Sequence, residues 1–413
     1  MILNLPLFFA KRMRQPFLNK DSVSHQIINI ATLAVTLGIT TILIAVATGR
    51  GLQKEIRKKT AAFNGHLVVM PFENNSSKIS LHSFENNLDF SSIWKTDQPI
   101  IYSYGFAIKA GMLKAGEEFE GILFKGVDSN FEPSELLDFM SEGEIPNWGE
   151  NNSDKIVISQ SIADRLKLHA GETVEAYFQN TTTQRLPNKR KFTVSGIFST
   201  GFPDIDKNLI LGDLYQIQRL NRWGNDQIGG YQIFLREPNR IENITEEIYK
   251  YIPPELDAQS LNDQYSSIFQ WISLFDFNIL IIMIIMLLVG IINMATALLV
   301  LVLERSRMVG LLKAIGAPRR MIQNIFLYNG IVIMSKGLLI GNILGLLFYF
   351  SQRQWGWIQL DPETYFVDKA PVILTFYEIF AVNLIFLLIS ALLLWLPSRI
   401  IFNITPAKVL RSR

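Results

Sequence analysis

Apolar residues along this chain gather into four long runs, at about 27–48, 278–303, 325–350 and 376–396. Each is long enough to cross a bilayer as a helix, which takes about 20 residues. Between the first run and the second the rhythm changes. Segments 66–72, 100–109, 121–127, 155–159, 173–178, 192–197, 208–211 and 231–235 are β-branched or aromatic and end at Gly, Pro, Asn or Asp, so they predict strands. Segments 161–168, 213–220 and 241–252 space their apolar residues as helices do. The Asn- and Ser-rich segment 73–80 predicts a loop. The pattern predicts an α-helical membrane protein with four transmembrane helices and a large mixed α/β domain inserted between helices 1 and 2.

Helical spacing does not stop at the bilayer limits. Around the second run it extends from Tyr265 to Leu303 without a breaker, roughly 57 Å of helix against a hydrocarbon core of about 30 Å. The first run continues the same way through Gly51, Leu52 and Ile56. Both helices are expected to leave the membrane as stalks that carry motion to the inserted domain. The first run is not a cleavable signal, because its apolar core is too long and no small-x-small site precedes a change of character.

Lys and Arg set the orientation. Segment 304–320 holds Arg305, Arg307, Lys313, Arg319 and Arg320, and the tail holds Arg399, Lys408, Arg411 and Arg413. Both are expected to be cytoplasmic. The loop between the last two runs has Arg353 and Lys369 against Asp361, Glu363 and Asp368, and is expected to face outward. Bases flank the first run on both sides, so span parity decides that the N-terminus is cytoplasmic as well. The expected organisation is an amphipathic N-terminus (1–25), helix 1 (26–49), the α/β domain with its stalk (50–268), helix 2 (269–303), a cytoplasmic loop (304–323), helix 3 (324–350), an outward loop (351–375), helix 4 (376–398) and a tail (399–413).

Composition mainly excludes. With 39 Lys and Arg against 37 Asp and Glu, no global charge points to nucleic acid. The absence of cysteine rules out disulfides, thiol catalysis and Cys-based metal sites. His25, His66, His82 and His169 show no ligand spacing, and no phosphate-binding loop of the G-x-x-x-x-G-K-[ST] type occurs. Carboxylate pairs such as Glu117 with Glu118, and Asp204 with Asp206, lack a matching histidine or metal set and are expected to be solvated loop charges. No catalytic constellation remains.

The segment ERSRMVGLLKAIGAPRR, from Glu304 to Arg320, is the most specific feature. Val309, Leu312 and Ile315 recur at helical spacing among Arg305, Arg307 and Lys313, and Gly310 and Gly316 would admit another surface close to the backbone. A membrane-flanked loop with a shaped apolar face suits docking to a cytoplasmic partner.

These residues resemble the cytoplasmic coupling loop of the FtsX-like, MacB-type ABC transporter permeases: Glu-Arg, then an apolar residue and Gly, then two apolar residues and a base, then Ala-Ile-Gly-Ala and paired bases. Met308 stands where that pattern has an acid, and Pro318 where it has Ser or Thr. The order of one span, a large periplasmic domain and three more spans is also that family's. So are the closing Pro406, Ala407, Leu410 and Arg411, and the N-terminal run from Leu7 to Arg14. Within the family the likeness is greatest to the LolC/LolE lipoprotein-releasing permeases, through the segment 185–196 and the overall length.

The resemblance implies a fold with a MacB-like periplasmic core, composed of a porter-like α/β part and a mostly β part inserted into it. It implies a permease subunit in the bacterial inner membrane that binds no cofactor, with ATP and Mg on a separate ABC ATPase dimer. It also implies a second permease copy or paralogue, mechanotransmission through the stalks, and lipoprotein release as the function. A permease that drives a periplasmic cell-wall hydrolase or efflux partner is the alternative. Glu304, Arg305, Val309, Gly310, Leu311, Lys313 and Gly316 are the expected ATPase contacts, with Leu311 and Val309 filling an apolar pocket. Ile42, Val46, Phe269, Phe275, Met283 and Met286 are candidates for an acyl-chain cavity between helices 1 and 2, with ordinary helix packing as the other account of each. A periplasmic carrier is expected to dock at a proline-bearing hook. Here Gln184, Arg185 and Pro187 mark a short loop with its proline at the far end, which leaves a LolE-like half or a different acceptor open. Asn293, at mid-membrane depth, is expected to bond across helices.

Overall fold

The computed structural model describes residues 23–75, 77–94, 98–149, 152–179 and 187–398. In chain order its elements are α1 (Val23–Asn64), β1 (Leu67–Pro71), β2 (Phe84–Glu85), β3 (Ile100–Ala115), β4 (Glu118–Val127), α2 (Ser134–Leu137), β5 (Met140–Gly143), β6 (Lys155–Ser159), α3 (Gln160–Leu166), β7 (Thr173–Phe178), β8 (Asn188–Phe198), α4 (Pro203–Asp206), β9 (Leu209–Asp213) and α5 (Leu214–Asn221). There follow β10 (Gln227–Ile228), β11 (Gly230–Leu235), α6 (Ile241–Tyr251), β12 (Leu256–Ser260), α7 (Leu261–Gln264), α8 (Ser266–Glu304), α9 (Ser306–Ala314), α10 (Arg319–Trp355), α11 (Pro362–Tyr365) and α12 (Phe376–Ser398). The chain divides into an α/β unit, Lys54–Trp271 with Leu360–Asp368, and a helical unit made of the rest. The division falls within α1 and α8, the two helices whose periodicity outran a bilayer.

The α/β unit is built on one ten-stranded sheet. At one side β12, β1, β11 and the first half of β3 pair antiparallel. Strand residues alternate between faces, and Leu67, Val69, Ile233 and Ala258 join the core with Ile241, Ile244 and Ile248 of α6. The second half of β3 enters a closed ring, pairing through β4, β9, β6, β8 and β7 back to β3. Closure removes exposed edges. Its interior is filled by aromatic side chains, with Phe124 stacked on Phe192 at 5.3 Å and edge-on to Phe178 at 5.8 Å. The 16 residues of β3 run through both the open part of the sheet and the ring.

A buried polar network sits where α1 ends. Lys125 is 2% exposed, and its Nζ donates to the Phe63 carbonyl and to Gln232 Oε1, the latter at 2.6 Å. The Tyr104 hydroxyl donates to the same Gln232 oxygen. A base at the last carbonyls of a helix also complements the helix dipole. With no carboxylate beside it, burial pushes Lys125 down to about 7. The unfolded chain therefore binds more protons than the fold between about pH 7 and 10.5, so stability is expected to rise with pH across that window and to be lost as pH falls through it. Melting of the full-length protein at pH 7 and pH 9.5 checks this. The rise should shrink in Lys125→Met, and an equal rise in both proteins would assign it elsewhere.

Two sequence expectations for this unit change. Asp206 is not a solvated loop charge. Its carboxylate accepts from the Thr200 hydroxyl at 2.8 Å and from the N–H of Gly201 at 2.9 Å, and burial raises its pKa in spite of those bonds. Nor is the α/β unit confined to 50–268, since residues 360–368 of the loop 351–375 belong to it. Phe366, at φ 61°, stacks on Phe202 at 4.6 Å and meets Trp271 edge-on at 5.8 Å, and Lys59 Nζ donates to its carbonyl at 3.3 Å.

In the helical unit, helices 26–64, 266–304 and 320–355 are long and apolar enough to cross a membrane, and α12 is apolar over 376–392. Helices α1 and α10 approach closely along a row of glycines. A Cβ added at Gly337, Gly341 or Gly345 would lie 2.7 Å from Val35 Cβ, 2.9 Å from the Thr36 carbonyl oxygen or 2.8 Å from Leu43 Cδ1. The glycines repeat every four residues, one row of a helix surface, and face a matching row on α1. Thr36 and Thr40 hydroxyls donate across the seam to the carbonyls of Gly337 (3.3 Å) and Gly341 (3.2 Å). Small residues that let backbones approach are the usual adhesive between helices in lipid. A second clasp joins α10 to α12, where Asn342 and Asn383 exchange side-chain hydrogen bonds at 2.7 and 2.8 Å. Asn293, expected to bridge helices, donates instead to the Val289 carbonyl of its own helix at 2.9 Å.

Candidate functional site

The segment 304–320 forms a short helix between two long ones. Its shape follows from its sequence. Helix α8 bends at Arg305 (φ −96°, ψ 17°), whose N–H still donates to Leu301 and whose carbonyl accepts from Val309. Helix α9 ends in a Schellman closure, with the Ala317 N–H on the Leu312 carbonyl at 2.9 Å and the Gly316 N–H on that of Lys313 at 3.1 Å. That closure needs a left-handed residue, and Gly316 supplies it at φ 86°. Pro318 then precedes α10, with its own carbonyl receiving the Met321 N–H.

One face of α9 is fastened to the bundle. Val309 and Leu312 are buried with Leu301 and Val302 from the end of α8 and with Ile322, Ile325 and Phe326 from the start of α10. Gly310 is buried too. The opposite face carries Leu311, 57% exposed, and Ile315, 79% exposed, four residues apart on one row. Glu304, Arg305 and Arg307 are exposed around them, and Lys313 is half-buried.

This corrects one expected contact. Val309 is 0% exposed and cannot fill a partner's pocket; Leu311 with Ile315 forms the apolar surface on offer. Gly316, at φ 86°, ends the helix, and the space beside it is open. Of the exposed pair, Leu311 was expected and Ile315 was missed, because periodicity alone assigns Ile315 to one face with Val309 and Leu312. The apolar ends of α8 and α10 needed a cover, and two of those three residues supply it.

Four of the six candidate cavity residues share one apolar core. Ile42 and Val46 are buried in the core of the helical unit, with Met283 and Met286 of α8 packed against it. Phe275 is half-buried in the same unit. Phe269 belongs to the α/β unit, packed on its core with the Arg57 guanidinium 5.7 Å from its ring centre. Gln184 and Arg185 lie outside the described residues, as do the segments 7–14 and 406–411. Pro187 is exposed at the start of β8, next to the pairing of Lys189 with Glu175 at 2.6 Å. Among the described residues no group of three or more His, Asp or Glu could hold a metal ion.

Comparison with known proteins gives the following. The family model of the MacB-like periplasmic core domain matches residues 30–251, and that of the FtsX-like permease C-terminal region matches residues 280–406. The chain is similar to the lipoprotein-releasing system transmembrane protein LolC of Haemophilus influenzae, at 22% identity over 398 residues and 95% of each chain. It is equally similar to LolE of the same organism, at 22% identity over 424 residues, 99% of this chain and 100% of the other. Among solved structures, the periplasmic region of MacB from Actinobacillus actinomycetemcomitans aligns with a TM-score of 0.33 and 13% identity, covering 49% of this chain and 91% of that one.

Proposed function

The chain belongs to the family that joins a MacB-like periplasmic core domain to an FtsX-like permease C-terminal region, and from that premise we propose that it is the permease subunit of an ATP-driven transporter that releases lipoproteins from the outer leaflet of a bacterial inner membrane. ATP and Mg are held by a separate ATPase pair, and a second permease, identical or paralogous, completes the complex. Four helices span the membrane, α12 being the fourth, with both termini in the cytoplasm. Similarity to two lipoprotein-releasing proteins over nearly the whole chain supports the cargo.

The observation that carries the reading is the construction of α9. It is locked to α8 and α10 from within and offers Leu311 and Ile315, ringed by bases, on its outer face. An ATPase groove with an apolar centre and an acidic rim is complementary to that surface. A push on α9 then moves α8 and α10 with it instead of bending a loose loop. The length of α8, 39 residues, supports transmission beyond the bilayer. Acyl chains leave the outer leaflet beside α1 and α8, where Met283 and Met286 adapt to irregular apolar ligands.

Purification of the intact complex from its native membrane tests this. A small ATPase and triacylated lipoproteins are expected to copurify. An ATPase accompanied by a cell-wall hydrolase or an outer-membrane channel, and no lipoprotein, would replace lipoprotein release with mechanical signalling or efflux.

A further inference from the structure

The α/β unit carries a cleft of about 300 Å³, at the lower end of the range for ligand sites. Its floor is the sheet face turned away from α6, with Val68 and Met70 of β1, Ile108 of β3, Gln232 of β11 and Gln259 of β12. Its walls come from the loop after β1, the approach to β9, and Tyr265. The loop wall is fixed in place. The Asn74 carboxamide accepts from the N–H groups of Leu81 (2.9 Å) and His82 (3.0 Å) and donates to the carbonyls of His82 (3.0 Å) and Gly229 (3.3 Å).

The chemistry of the lining is unusual for a protein surface. Seven of its twenty residues are Asn or Gln, against one base, Lys78, and one acid, Asp204. An ion in the cleft would lose water and meet at most one opposite charge, Lys78 or Asp204, so the lining favours a neutral ligand. Some of its polar groups are uncommitted: among the described residues, the side chain of Asn208 and the hydroxyl of Tyr265 make no hydrogen bond. A carboxamide donates and accepts equally well, which matches the alternating N–H and C=O of an extended peptide. Carbohydrate fits less well because it stacks on open aromatic faces. Phe106 is 5% exposed beneath Lys125 Nζ, and Tyr265 packs its ring on the core.

We infer that this cleft binds an extended, uncharged segment of polypeptide and, given the lipoprotein-release reading on which this part rests, that the segment belongs to the cargo beyond its lipidated end. The cleft holds the chain by side-chain amides, independent of sequence, while Val68, Met70 and Ile108 accept small apolar groups.

The absence of native cysteine makes the test direct. In the full-length complex, Asn208→Cys is labelled with a maleimide in the presence of the uncharged nonapeptide acetyl-(Gly-Asn-Ser)3-amide. Labelling should slow at least fivefold, while Glu118→Cys, exposed on β4, is unaffected. Gln259→Cys gives the same readout from the floor if Asn208→Cys does not assemble. Unchanged labelling at both cleft positions, or equal protection by a chitin oligosaccharide or a poly-aspartate peptide, overturns the proposal. A benzophenone-maleimide attached to the Asn208→Cys variant in cells should then cross-link to lipoprotein polypeptide. The two readings fail separately. A complex that holds lipoprotein but shows no peptide protection sinks the cleft alone, whereas protection in a complex free of lipoprotein confirms the cleft and sinks the cargo.

Discussion

Gly337→Ala is expected to destabilise the helical unit by about 1–3 kcal/mol, the range for forcing an extra methylene into a packed core. Its new methyl group would lie 2.7 Å from both Cβ and Cγ1 of Val35 and 3.0 Å from the Thr32 carbonyl oxygen. Valine is branched at Cβ and stiff about χ1, and the carbonyl belongs to a helix, so neither can yield without moving α1. Any such movement also lengthens the hydrogen bond from Thr36 to the Gly337 carbonyl, already 3.3 Å. Gly345→Ala should be milder, because its closest contact is Cδ1 of Leu43, the far end of a flexible side chain. Gly341→Ala should fall between, against the Thr36 carbonyl oxygen and Ile39 Cβ. Thermal unfolding of the three variants in detergent measures the order, with Gly121→Ala, open on every side, as the unchanged control. Three equal melting temperatures would mean that α1 and α10 do not meet along this row. A leucine at Gly337 should prevent the two helices from docking at all.

The same seam shows what the sequence could and could not convey. The four apolar runs were visible because length and hydropathy are local properties. Which helix meets which depends on glycines about 300 residues from their partners, and no period along the chain encodes that pairing. In the α/β unit the strands 155–159 and 173–178 emerge with the ends that their β-branched and aromatic runs assign them. Strand β3 runs six residues past its expected end at Lys109. Gly111 looks like a terminator, yet it stays in the strand because the Phe178 ring of β7 occupies the space a side chain would take, 2.6 Å from an added Cβ. β12 was missed because its half-buried positions, Asp257 and Gln259, are polar, and its buried alternates, Leu256, Ala258 and Ser260, are a weak apolar signal. That residues 360–368 pack into the α/β unit was not legible, because Tyr365 and Phe366 stand among acids and the Phe366 partners Phe202 and Trp271 lie far away in sequence.

Helix α9 was legible as a helix and Leu311 as part of its outer surface, but the sequence did not tell the buried Val309 from the exposed Ile315, and that difference yields the second large effect. Leu311→Asp combined with Ile315→Asp is expected to leave the permease folded, since both side chains already face solvent. Binding of the proposed ATPase should fall at least tenfold, because two apolar anchors at the centre of a small interface account for about 2 kcal/mol or more. Val309→Asp should behave in the opposite way. At 0% exposure it would bury a carboxylate among Val302, Ile322 and Phe326. The helical unit should then lose stability, and the loss of ATPase would follow from misfolding. Melting temperature and ATPase copurification, measured side by side, separate the two outcomes. If the Leu311/Ile315 variant melts early while Val309→Asp does not, the faces of α9 are assigned the wrong way round. If the double variant melts normally and keeps its ATPase, the partner holds the basic residues alone and the apolar pair is no anchor. Loss of the ATPase from a stably folded double variant is the result that an anchored helix with an apolar outward face requires.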